Sequence, residues 1–391
     1  MKGSPPPEDK VVTLENWQSG PWNRWSYQHV CEIIPCARVS RGQERATHLA
    51  RDPADVGNVR FEGLDGPMSV ARLLEATYTD GFLVLRDGLV VTEQYSNGME
   101  AHTRHLLQSI SKSITGALAG ALVGRGSLDP GAPVTAVVPE LQGTSFEGAS
   151  VRHILDMTAG TKFSEEYDDP DSDIRHYEGA AGWRSPSAGD ALDLFGYIRT
   201  LQNHRAHGGT FEYRSILTDL LGWIVERASG CRFAEALSEL IWAQLGAEWD
   251  AEVSVDRRGN PMADGGISVT LRDLARFGQL YLDRGKVGGR RVLPASWVDD
   301  TRYADDECRA AFLASEKAAR YPKGHYRNQW WVPDPGRGVL LGAGFYGQFL
   351  YVDMTARVVI AKLSTLPYAL DLDVSAEHGR AFAAIAAELA V

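Results

Sequence analysis

The sequence predicts an α/β protein in which one antiparallel sheet, flanked by helices, is assembled from both ends of the chain around an inserted, mainly helical domain. Three observations predict it. Residues 82–96, FLVLRDGLVVTEQYS, are two β-rich runs around an Asp-Gly turn, which is a hairpin signal. Residues 348–364, QFLYVDMTARVVIAKLS, repeat that form with a turn at 354–356. The sequence between these pairs reads as helices and long loops, so the strands at the two ends have to find each other. The expected units are an α/β domain from residues 1–130 and 285–391, and a mainly helical domain with covering loops from residues 131–284.

Taken in order, residues 1–60 are rich in Pro, Arg and Trp with weak periodicity, and are expected to form an arm over the surface. VRHILDMTAG reads as a short helix stopped at Gly160. SILTDLLGWIVERASG places Leu217, Leu220, Leu221, Ile224 and Val225 on one helical face, with Ser215 at the N-cap and Gly230 at the C′ position. SVTLRDLARFGQLYLDRG is a further amphipathic helix, and SAEHGRAFAAIAAELA closes the chain as another.

Composition excludes several classes. The 391 residues are 44% hydrophobic and 23% charged, as in folded soluble proteins. A net charge of −11 disfavours nucleic acid or an anionic membrane as partner, because both require concentrated positive charge. The start, MKGSPPPEDK, has no apolar signal core, and no run of about 18 apolar residues occurs. Cys31, Cys36, Cys231 and Cys308 lack the C-x-x-C spacing of zinc or redox sites. They read as scattered thiols of a cytoplasmic protein, although four cysteines also allow two disulfides.

The chemistry gathers in residues 106–126, LLQSISKSITGALAGALVGRG, where three serines crowd one lysine at the mouth of a buried helix. Ser109 and Lys112 are three apart and share a face, whereas Ser111 and Ser113 project roughly 100° away from the lysine. Helical spacing therefore selects Ser109. Gly116, Gly120 and Gly124 form a bare stripe open to close approach. Burial of Lys112 favours its neutral amine, which can take a serine proton as histidine does in other hydrolases. Backbone N–H groups at the helix start suit a developing oxyanion. With eight lysines and 25 serines, chance gives about 0.5 S-x-x-K matches, so spacing alone is weak. The plain alternative is a capping serine beside a snorkelling lysine.

About a hundred residues on, GTFEYRSILTDLLGWIVERASG places Tyr213 just before a helix. A phenol beside an ammonium is stabilised as phenolate and becomes a usable acid or base. Here the chain resembles the serine hydrolases built like class C β-lactamases, DD-peptidases and related esterases. Within them it is most similar to the 6-aminohexanoate-dimer (nylon-oligomer) hydrolase branch. The segments SISKSITGALAGALV, EEYDDP, AGWR, FEYRS, LGWIVER, GGISVTLRDLARFG, NQWW and GFYGQFLYVD carry the likeness in one order from about residue 80 to 365. The resemblance implies a β-lactamase/DD-peptidase-like fold, Ser109 as nucleophile, Lys112 as its base and Tyr213 as proton shuttle. It also implies the backbone N–H groups of Ser109 and Phe345 as oxyanion donors.

Departures narrow the substrate. Ser215 stands where β-lactamases have asparagine, and Phe345–Gly347 replaces the Lys-Thr-Gly that pairs a β-lactam carboxylate. Penicillin recognition is therefore not expected. The resemblance places Tyr167 against a substrate amide and Glu178 against a substrate amine. Glu178 stands where amide-active relatives have aspartate, and its extra methylene moves the charge by about 1.5 Å. Asp264 replaces the family's asparagine, and either assists amine binding or repels a free carboxylate. Two solvated loop acids are the bland reading of Glu178 and Asp264. Trp330 and Trp331 either fill core or line an acyl pocket.

EEYDDPDSD has the first spacings of a calcium loop, but Ile174 and Ala180 replace its glycine and glutamate, so it reads as a solvated, mobile loop, which the resemblance implies lies over the site as a lid. His204 and His207 lack a third metal ligand. The expectation is an acyl-enzyme hydrolase of small esters, and of linear amides such as 6-aminohexanoate oligomers. It needs no cofactor or metal, has no nucleic-acid or membrane partner, and is open to forming a homodimer. The rival readings are a DD-peptidase or β-lactamase, and a binding module of the same fold without the chemistry.

Overall fold

A computed structural model describes residues 1, 3–186, 189, 191 and 193–390. Seven antiparallel strands lie in the order His325–Arg327, Trp330–Asp334, Val339–Gly344, Gln348–Asp353, Val358–Ser364, Thr79–Arg86 and Leu89–Tyr95. The two ends of the chain meet where Val358–Ser364 pairs with Thr79–Arg86, in the register Ile360 opposite Val84. Val358–Ser364 is buried throughout, since helices cover both of its faces. The hairpin turn falls on Asp87 and Gly88, both with positive φ (49° and 78°), which matches the twist of the flanking strands.

The closing helix, Leu372–Leu389, lays Phe382 and Ile385 over the face carrying Phe349 and Tyr351. On the opposite face the helix Leu271–Leu282 brings Gly278 against Val359 and Leu350. This helix falls within residues 131–284, yet it packs on the sheet. The helices Val151–Leu155, Asp173–Ala181, Leu194–Ile198, Ile216–Ser229 and Phe233–Leu240 lie between the two strand sets in sequence. Gly230 ends one of them in the left-handed conformation (φ 73°) expected of a C′ glycine. The helix read as running to Gly160 instead stops at Leu155, where Met157 turns left-handed. A second, four-stranded sheet of Cys36–Val39, Ala251–Ser254, Ile267–Val269 and His105–Leu106 delivers the chain directly to Ser109.

Two expectations are corrected. The N-terminal arm is not confined to the surface: Trp17, Tyr27, Val30 and Ile34 are buried, because large aromatic and aliphatic groups gain more from the core than from solvent. Trp17 donates from Nε1 to the Trp183 carbonyl at 2.9 Å. Cys31 and Cys36 are joined in a disulfide with Cα atoms 5.5 Å apart, while Cys231 and Cys308 are free. Among the described residues no helix is long and apolar enough to cross a membrane.

The glycine stripe does what its spacing predicts. The helix Ile110–Gly124 is buried almost throughout, and methyl groups added at Gly116, Gly120 and Gly124 would fall 2.3 Å from the Asn328 carbonyl, 2.5 Å from Trp297 and 2.5 Å from Pro294. A Gly116→Ala substitution meets main chain, which has little room to move. We expect it to lower unfolding stability by about 1–3 kcal/mol, read as a reduced urea midpoint. An unchanged midpoint means that the 328–329 turn yields freely.

Candidate active site

Ser109 starts the helix with φ −64° and ψ −4°, and the residue before it, Gln108, has φ +49°. A non-glycine residue in that region costs about 1–3 kcal/mol and needs outside support. Gln108 has it: Nε2 donates to the Tyr27 hydroxyl at 2.7 Å. The turn presents Ser109 at the end of the small sheet.

All four polar side chains at the helix start have partners. Lys112 Nζ donates to Ser109 Oγ at 3.1 Å, to the Asp264 carbonyl at 3.1 Å and to Asp264 Oδ2 at 3.0 Å. Ser111 Oγ accepts from the Ile267 N–H at 3.1 Å, and Ser113 Oγ donates to the Gln329 carbonyl at 3.0 Å. Ser111 and Ser113 thus hold neighbouring segments in place, and Ser109 is the serine that meets the lysine. The selection by helical spacing agrees with the geometry.

Tyr213 completes the group. Lys112 Nζ lies 5.3 Å from the centre of its ring, and Trp331 stacks on the ring at 5.4 Å and 19°. Burial raises the Tyr213 phenol above its usual range, while Lys112 and a hydrogen bond with Ser109 draw it part of the way back.

The protonation of Lys112 differs from the sequence expectation. Burial pulls it toward the neutral amine, as argued, but the acidic groups around it, Asp264 first, outweigh burial and hold the ammonium well above the usual lysine range. Asp264 supplies the largest of these effects. The site therefore contains a buried ion pair, 1% and 9% exposed at its two side chains, in place of a free amine.

Two acids escaped the sequence reading. Glu165 accepts the Ser215 N–H, and burial lifts its carboxyl above the usual range despite Lys112 nearby. Asp219 is fully buried, accepts from the Asp264 N–H at 3.1 Å and from the Tyr177 hydroxyl, and is likewise raised by burial and then by Asp264. Its signal was present: it is the one acid in the apolar run Ile216 to Val225. Ser215, expected to cap that helix, makes no side-chain cap bond.

On the facing strand, a methyl added at Gly344 would come within 3.1 Å of the Ser109 nitrogen. The strand end before Phe345 thus abuts the serine backbone, so the two expected oxyanion donors lie on adjoining segments. Tyr346 takes the left-handed conformation (φ 61°) that turns this segment.

The expected substrate contacts divide. Tyr167 meets Phe345 edge-on with ring centres 4.8 Å apart, which puts the EEYDDP loop against the segment expected to supply the second oxyanion donor. Trp331 lines the site through Tyr213. Trp330 does not: it is 0% exposed and packs on Phe277 and Tyr281, because successive strand residues face opposite sides of the sheet. Glu178, expected to face a substrate amine, is 4% exposed and bound through Oε2 to Arg175 at 2.8 Å and Arg184 at 2.6 Å. Its charge is already offset by two guanidinium groups. Asp264 faces Lys112. His207 accepts the Gly160 N–H at 3.0 Å, and His204 lies 3.3 Å from Glu212. Two hollows of about 440 and 380 Å³ lie elsewhere on the surface and contain none of these groups.

A family model described as Beta-lactamase matches residues 70–385. The chain is 41% identical over 372 residues to a 6-aminohexanoate-dimer hydrolase of Paenarthrobacter ureafaciens, covering 94% of this chain and 91% of that protein. A solved structure from Bacillus anthracis, named provisionally as a 6-aminohexanoate-dimer hydrolase, superposes with a TM-score of 0.89 at 26% identity over 98% of each chain. A family VIII carboxylesterase shares the fold with a TM-score of 0.61 at 13% identity, over 87% of this chain and 100% of that one.

Proposed function

The chain belongs to the Beta-lactamase family of serine hydrolases, and from that premise we propose that Ser109 is its nucleophile, Lys112 and Tyr213 together its base, and small carboxylic esters and linear amides its substrates. The observation that carries this reading is the 3.1 Å approach of Lys112 Nζ to Ser109 Oγ beneath the Tyr213 ring. At rest the pair is an ammonium and a phenol. Loss of one proton, shared between them, gives the form that takes the Ser109 proton as Oγ attacks the acyl carbon. The N–H groups of Ser109 and Phe345 hold the oxyanion, and Tyr213 protonates the leaving group as the carbon–heteroatom bond breaks. Water, activated by the same pair, then frees the acid and restores Ser109.

Tyr167 and Trp331 are the side chains placed to contact substrate, and the identity of the Paenarthrobacter relative points to linear 6-aminohexanoate amides as the amide class. Glu178 acts through Arg175 and Arg184, ordering the loop. A fluorophosphonate probe followed by mass spectrometry tests the assignment. We expect one adduct, on Ser109, with turnover of p-nitrophenyl butyrate and none of nitrocefin. No adduct, or an adduct on another serine, removes the reading, and nitrocefin turnover returns it to the β-lactamase class.

A further inference from the structure

Next to the segment expected to supply the second oxyanion donor lies a glutamine that the proposed chemistry does not use. Gln348 is fully buried and begins the strand Gln348–Asp353, where the residues sharing its face, Leu350 and Val352, are apolar. A buried amide is costly unless its polar atoms are bonded. Those of Gln348 are bonded on both sides. Nε2 donates to the Phe345 carbonyl at 3.1 Å and to the Ser364 carbonyl at 2.6 Å, and Oε1 accepts the Ser364 N–H at 3.0 Å. One side chain thus ties the 345–347 turn to the strand Val358–Ser364 in the interior of the sheet.

The rest of the turn is tied down as well. Tyr346 donates its N–H to the Ala369 carbonyl at 2.8 Å and accepts the Leu366 N–H at 3.1 Å, which supports its left-handed conformation. Lys362 Nζ donates to the Gly347 carbonyl at 3.4 Å and to Ser364 Oγ. Each of the three carbonyls of the turn therefore accepts a donor from beyond it, and Gln348 is the donor that reaches Phe345.

The geometry points to Gln348 as a positioning residue for the oxyanion: by fixing the Phe345 carbonyl it holds the Phe345 N–H in the orientation that receives the charge on the acyl oxygen. This rests on the proposed roles of Ser109 and Phe345. The N–H and carbonyl of Phe345 flank one α-carbon. Gly344, on the N–H side, is held in the ladder opposite Gln348 itself, and the carbonyl is held by the Gln348 side chain. The peptide bearing the N–H is left with little rotation, and a donor fixed in this way needs no reorganisation as charge develops. Gln348 is buried away from substrate, so its effect falls on the transition state and not on binding.

Gln348→Met keeps the length of the side chain and removes its three hydrogen bonds. For p-nitrophenyl butyrate, kcat should fall by about ten- to a hundredfold, the scale of an ångström-sized misplacement. KM should stay within about threefold, because acylation and deacylation both pass through the oxyanion. The inhibition constant of 1-butaneboronic acid, which places a charged tetrahedral boronate on Ser109, should rise by the same factor as kcat falls. Ser364→Ala is the control for a merely structural role. It removes the hydroxyl that Lys362 meets and leaves all three Gln348 bonds, which use the main chain of Ser364. It should lower the thermal midpoint and keep kcat within about threefold. A Gln348→Met protein that keeps kcat, or loses KM in its place, overturns the inference, as does an equal loss of kcat in Ser364→Ala. If Gln348→Met does not fold, the wild-type structure with the boronate on Ser109 decides. A boronate oxygen should then lie about 2.7–3.1 Å from the Phe345 nitrogen with Gln348 Nε2 still on the Phe345 carbonyl, and a carbonyl turned away from Gln348 overturns the inference. A boronate oxygen away from Phe345 removes the oxyanion assignment beneath it, whereas an oxygen at Phe345 with kcat kept in Gln348→Met removes this inference alone.

Discussion

Replacing Ser109 with alanine should lower kcat for p-nitrophenyl butyrate by about 10⁴–10⁶-fold, the scale seen when a covalent nucleophile is removed and only binding and oxyanion contacts remain. The fold should survive. Lys112 loses one of three acceptors and keeps both of those on Asp264, so no buried charge is stranded. Ser111→Ala and Ser113→Ala invert the pattern. Each removes a buried hydrogen bond, to Ile267 or Gln329, and should lower stability by about 1–2 kcal/mol while leaving the ester-cleaving group in place. The three variants are compared by thermal midpoint and by active-site titration. If Ser109→Ala keeps even a hundredth of wild-type turnover, or if Ser111→Ala is the inactive protein, the nucleophile has been misassigned.

What could be read in advance followed from local chemistry. An Asp-Gly pair between β-rich runs fixes a hairpin, glycines four apart fix a close helix contact, and a spacing of three puts Ser109 beside Lys112. Each of these depends on a few adjacent residues. The misreadings share the opposite property. The protonation of Lys112 depends on Asp264, 152 residues away in sequence, and the ammonium results from a balance between burial and charge whose second part is invisible until the chain is folded. Trp330 and Trp331 are identical in kind, and only the facing of the strand decides that one packs on Phe277 while the other stacks on Tyr213. The arm looked aperiodic because Trp17 and Tyr27, packed against each other with ring centres 6.1 Å apart, are held by partners far away in sequence, Trp183 on one side and Gln108 and Tyr346 on the other. Glu178 was assigned by position in a motif, and its two arginines came into view only with the helix Asp173–Ala181 and the loop after it.

The second large effect separates the two proposed duties of Tyr213, in activating the serine and in protonating the leaving group. Tyr213→Phe retains the ring, with its stacking on Trp331 and edge contact with Tyr326, and removes only the hydroxyl that bonds Ser109 and interacts with Lys112. A p-nitrophenolate departs without a proton, so an ester of that alcohol feels only the loss in serine activation. An amide nitrogen must be protonated to leave, and an amide of the same acyl group feels both losses. General acid catalysis contributes about 10²–10⁴-fold. The expected result is therefore a fall in kcat/KM for the amide at least 10²-fold greater than for the p-nitrophenyl ester. Lys112 stays anchored by Asp264 in the variant, so the comparison does not confound loss of the phenol with displacement of the amine. Equal losses on the two substrates would confine Tyr213 to activating Ser109 and pass protonation of the leaving group to Lys112, the other proton donor within reach of Ser109 Oγ.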